Sequence, residues 1–81
     1  MTKTVQDIIQ DFMDASGCNT YRKLEGILAN DTRYPTHAAI HGWMEYDTRP
    51  NVNKLQLIEP RIENKEAKAL IRDLIRAASF S

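Results

Sequence analysis

The chain is poor in the residues that make small folds unusual. Its single cysteine, Cys18, excludes an internal disulfide and a thiolate metal cluster. Cys18 follows Gly17 in what reads as a turn between helices, where a thiol serves as a small apolar filler. Three glycines and three prolines are too few for a linker or a low-complexity tract. Val, Ile, Thr and the aromatics never alternate over a strand-length run, so no sheet is expected. No apolar run approaches the roughly 18 residues of a membrane helix. The first ten residues, MTKTVQDIIQ, lack the basic-then-apolar layout of a signal peptide. A soluble, cytoplasmic protein without membrane contact is therefore expected.

A net excess of either charge is missing as well. Eleven Lys and Arg balance eleven Asp and Glu, which counts against binding that rests on indiscriminate attraction to phosphate. The balance is uneven along the chain. Residues 1–19 set Lys3 against Asp7, Asp11 and Asp14, whereas residues 20–81 hold ten bases and eight acids.

What is present is helical periodicity. Thr4 and Asp7 form a variant capping box, followed by the stripe Val5, Ile8, Ile9, Phe12 and Met13, with Gly17 as the stop. Asn19 or Thr20 caps a second helix with Tyr21, Leu24, Ile27 and Leu28 on its buried side. "NDTRYP" is a turn or short loop, and Thr36 caps a third helix carrying Ile40, Trp43 and Met44, which ends near Tyr46 or Asp47. A short helix from about Asn53 buries Leu55 and Ile58 before Pro60, and Asn64 caps a last helix. The expectation is all-α: one domain over residues 1–81, a compact five-helix orthogonal bundle. Its core should gather Phe12, Leu24, Leu28, Ile40, Trp43 and Leu55.

The segments "ASGCNTYRKLEGIL" and "IHGWMEYDTRP" resemble the two halves of a lambda-repressor-like helix-turn-helix, most closely the N-terminal domains of phage CI-type repressors. Gly17, Thr20 and Leu24 match the turn, the cap and the inward Leu of the first motif helix. Ile40 and Trp43 match the inward pair of the second, and Asp47 and Pro50 stand at offsets frequent in the CI-type branch. The match covers roughly residues 5–60. Two features depart from the pattern. Glu25 and Gly26 stand where the family has Ala after the inward Leu, and "ANDTRYP", residues 29–35, lengthens the motif turn.

The resemblance implies a five-helix domain and a small bacteriophage or prophage regulator of transcription, a repressor or activator that binds double-stranded operator DNA in the host cytoplasm. The third helix would then read bases through Thr36, His37, Ala38, His41 and Gly42. Arg33 and Tyr34 before it, and Arg49, Asn51, Asn53 and Lys54 after it, suit phosphate contacts. The residues alone leave two other readings of this helix open. His37 and His41, four apart with Glu45 a turn further on, have metal-ligand spacing, but Ala38 stands where a metallopeptidase motif carries Glu. The polar face could also be merely solvated. No nucleophile–base arrangement, phosphate loop or apolar carboxylate pair can be read, so no enzyme, cofactor or metal is expected.

A different class of function remains beside the regulator: a helix-turn-helix fold used as a protein-binding module, such as a phage inhibitor of a host protein complex. Zero net charge, Glu45 and Asp47 beside the reading helix, and the lengthened turn suit it. For either role a homodimer is expected through the last helix, residues 64–78. Its stripe Ala67, Leu70, Ile71, Leu74, Ile75 and Ala78 looks larger than one small core can absorb.

Overall fold

Side chains that cap helix ends set the element boundaries. In the computed structural model, which describes residues 3–80, Thr4 Oγ1 accepts the Asp7 N–H at 3.1 Å while the Asp7 carboxylate accepts the Thr4 N–H at 3.4 Å. This box starts α1, Val5–Ser16, and Gly17 ends it at φ 76°, a left-handed conformation that costs glycine little. Thr20, Thr36 and Asn51 cap α2 (Tyr21–Ile27), α3 (His37–Glu45) and α4 (Val52–Ile58) in the same manner. Pro60 converts the chain after α4 into a single 3₁₀ turn, Glu59–Arg61. Asn64 Oδ1 then accepts the N–H groups of Glu66 and Ala67 and opens α5, Lys65–Phe80. The expected all-helical, five-helix body is present, with no strand among the described residues. The outermost residues of the expected 1–81 domain lie outside the described ones.

The helices pack around one core made by Ile9 and Met13 of α1, Leu24 and Leu28, Ile40 and Trp43, Leu55 and Ile58, and the inner face of α5. α5 is the hub, lying against both α1 and α4, while α3 packs on α2 and α1. Two expectations need correction. Phe12 is half-buried and packs at the edge of the core, not within it. The α5 stripe is not left over for a partner, because Ala67, Leu70, Ile71, Leu74 and Ala78 are all buried inside the chain's own fold and only Ile75 is half-buried. The sequence argument undercounted the opposing surface. Ile62, buried after the 3₁₀ turn, and Ile58 both help to cover the stripe. At about 1.5–3 kcal/mol for each large side chain removed from water, α5 is a main source of this domain's stability.

The connection between α2 and α3 is long yet ordered, and Asn30 accounts for that. Its Oδ1 accepts the Thr32 N–H at 2.9 Å, and its Nδ2 donates to the carbonyls of Leu28 at 2.9 Å and Tyr34 at 2.8 Å. Pro35 is buried and Tyr34 half-buried, with the Tyr34 ring edge-on to Trp43 at 6.1 Å between centroids. The connection is thus anchored to the core at its far end and delivers the chain directly to the Thr36 cap.

Candidate functional site

The N-terminal half of α3 reaches the surface beside the start of α2. Thr20, Tyr21 and Arg22 of α2's first turn and His37, Ala38 and His41 of α3 line a shallow depression of about 500 Å³. Ala38 and His41 are exposed there. The His41 ring stands edge-on to Tyr21 at 5.8 Å and to Tyr46 at 5.3 Å, so two aromatic rings restrict its rotation. Neither ring nitrogen of His41 has a hydrogen-bond partner among the described residues. Both are open to an outside group, as donor or acceptor according to tautomer.

His37 is occupied differently. Glu25 of α2 reaches across the motif, and its Oε2 accepts the His37 backbone N–H at 2.6 Å and lies 3.2 Å from His37 Nδ1. A carboxylate is thereby held at the N-terminus of α3, where unpaired N–H groups and the helix dipole favour negative charge. These bonds hold the Glu25 carboxyl below its ordinary value, the backbone N–H of His37 being the largest cause. The departure from Ala at position 25 has a physical reason here: the residue after the inward Leu acts as a second cap for the next helix. Gly26 has no such reason, since a Cβ there would meet nothing within 4 Å.

The remaining predicted site residues divide. Thr36 spends its hydroxyl on the cap, accepting the Ala39 N–H at 3.2 Å. Gly42 is half-buried: a Cβ there would lie in ordinary contact with the exposed Thr48, at 3.7 Å, and its carbonyl accepts the N–H groups of Tyr46 and Thr48. Tyr34 belongs to the packing, with Lys54 Nζ 5.2 Å from its ring centroid on the other side. Burial pushes the Tyr34 hydroxyl above its ordinary pKa, opposed by a hydrogen bond with the Asn51 backbone. Asn51 itself caps α4 through its side chain, accepting the Lys54 N–H at 3.2 Å. Arg33, Arg49, Asn53 and Lys54 are exposed, Arg33 on a left-handed turn at φ 60°.

Electrostatics around the depression favour its basic side. The ion pairs among the described residues are Lys3–Asp11, His37–Glu25, Arg61–Asp31 and Arg72–Glu59; Arg22, Lys23, Arg33 and Arg49 are among the bases without one, and Arg22 lies near enough to Glu25 to help hold its carboxyl low. Arg22 and Lys23, exposed at the start of α2, were not singled out from the sequence; their place directly after the Thr20 cap is the signal that pointed to them. The acids near α3 are engaged. Glu45 Oε1 accepts the Tyr21 hydroxyl at 2.9 Å, and Asp47 Oδ1 accepts Gln6 Nε2 at 3.0 Å. Gln6 also donates to the Trp43 carbonyl at 2.7 Å, so α1 braces the C-terminal end of α3. Burial, and then the bond to Glu45, push the Tyr21 hydroxyl upward.

Among the described residues no three His, Cys, Asp or Glu side chains converge as a metal site would require. Nδ1 of His37 is turned to Glu25, and His41 is set between two tyrosines. Among the described residues no helix is long and apolar enough to cross a membrane. No family model, curated protein or solved structure matches this chain.

Proposed function

We propose that the protein is a sequence-specific DNA-binding regulator of transcription that reads bases with the N-terminal half of α3. The observation that carries this reading is His41: exposed, held between Tyr21 and Tyr46, with both ring nitrogens free and Arg22 lining the same depression. A pre-oriented polar side chain on one helix, flanked by cations at the start of the preceding helix, suits base contact plus phosphate positioning. The helix order and the α2–α3 packing agree with the resemblance to lambda-repressor-like domains. On this reading Ala38 and His41 are the base readers, and Arg22, Lys23, Arg33 and Arg49 contact phosphates. His37, Thr36, Gly42, Tyr34 and Asn51 position the surface. A dimer on a two-fold operator would have to use a surface other than the α5 stripe.

A second reading has its own observation. Tyr46 and Leu57 are large apolar side chains left 73% and 68% exposed, and Tyr46 adjoins His41. A protein-binding module would use such residues as anchors. Chromatography on heparin and on random duplex DNA at low salt separates the two. The regulator is retained and elutes with rising salt, whereas a module with a protein partner alone flows through. On a selected preferred duplex, His41→Ala should cost roughly 1–3 kcal/mol and relax preference at one position. Equal loss on preferred and random DNA would remove His41 from the readers.

A further inference from the structure

A second surface lies away from α2 and α3. Where α1 packs on α5 a groove of about 430 Å³ remains, and none of its lining residues belongs to α2, α3 or their connection. Its apolar lining comes from Ile8, Phe12 and Ala15 on one side and Ala69 and the buried Leu70 on the other. Ile8 and Phe12 are half-buried, and Ala15 and Ala69 are exposed. The charged lining is one-sided: Asp11, Glu66 and Asp73 against Lys3 alone. Lys3 and Asp11 neutralise each other, Nζ lying 2.6 Å from Oδ2, which leaves Glu66 and Asp73 as the unbalanced charges.

We infer that this groove docks a basic amphipathic helix of a partner protein. An apolar floor between two helices, edged by carboxylates, matches a helix that lays one apolar face down and carries Lys or Arg on its flanks. From Ile8 to Ala15 the groove runs two helical turns, about 10 Å, which seats anchors at i, i+3 or i+4, and i+7. A second copy of this chain is a poor occupant. Among the described residues its large exposed apolar side chains, Tyr46 and Leu57, sit on separate elements and offer one anchor each. A copy's α4 seated in the groove would also form a head-to-tail contact between unlike surfaces, which gives a ring or an open chain rather than a two-fold pair.

The test uses the full 81-residue chain and two synthetic helical peptides with the same Leu face, one flanked by Lys and one by Glu. Backbone amide shifts are followed by NMR. The Lys peptide should give saturable shifts confined to residues around Ile8, Phe12, Ala15, Ala69 and Asp73, weakening as salt rises. The Glu peptide should bind at least about tenfold more weakly, and Asp11→Lys with Asp73→Lys should reverse that order. Ala15→Arg with Ala69→Arg, both at exposed positions, should abolish binding while the melting temperature stays near that of the parent. Equal binding of both peptides, shifts elsewhere on the molecule, or no binding would overturn the proposal. Groove shifts that grow with protein concentration in the absence of peptide would assign the groove to a second copy and would overturn it too. DNA binding through α3 is unaffected by any of these outcomes.

Discussion

Glu25 Oε2 lies 2.6 Å from the backbone nitrogen of His37 and 3.2 Å from its Nδ1, so one carboxylate of α2 holds the first residue of α3 by both main chain and side chain. The contact fixes the angle between the two helices at the end where α3 is exposed.

Because the folded state holds the Glu25 carboxyl below its ordinary value of 4.5, its contribution to stability is complete above that pH. The contribution is lost as pH falls through the lowered folded value. Glu25→Ala should therefore melt at a lower temperature than the parent at pH 7, and the gap should narrow as the pH is taken down to 2. A gap that stays constant across this range would show that the carboxylate charge plays no part.

Trp43 is 3% exposed and Leu74 fully enclosed, on two helices that share the core. Trp43→Ala and Leu74→Ala should cost about 3–5 and 2–5 kcal/mol respectively, a large share of the stability of a domain this small. Leu70→Asp with Leu74→Asp should unfold the chain rather than merely dissociate it, since both residues face inward. Circular dichroism checks this: a double variant with full helicity and parent-like melting would contradict the packing.

Gly26 sits in α2 with open space where a Cβ would stand and without a left-handed φ. Gly26→Ala should raise stability by roughly 0.5–1 kcal/mol through helix propensity and lost unfolded-state freedom. A denaturant melt showing a loss would mean that the α2–α3 crossing is closer in solution than the structure has it.

The helix frame was legible because caps and stops are local. Thr4 with Asp7, Gly17, Thr20, Thr36 and Asn64 each act within a few residues of where they stand, and each acts as its sequence context suggests. Asn51 acts locally as well, but its position after Pro50 let it be taken for a phosphate contact. The site was less legible because its decisive contacts are long-range. Nothing near Glu25 in the sequence shows that it reaches His37, or that Tyr21 and Tyr46 enclose His41. The surplus apolar surface expected on α5 failed for a similar reason. A stripe's length says nothing about how much surface opposes it, and here Ile62, beyond a proline turn, adds to that surface.

The most direct test of the account is the salt dependence of DNA binding, measured by fluorescence anisotropy on one duplex for the parent and for Arg22→Ala with Lys23→Ala. The account predicts saturable binding by the parent at low salt, with log K falling linearly against log salt. The double variant should bind more weakly, with a slope shallower by about two, one unit for each phosphate contact removed. A parent that fails to bind duplex DNA at low salt, or a double variant whose slope equals the parent's, would contradict it.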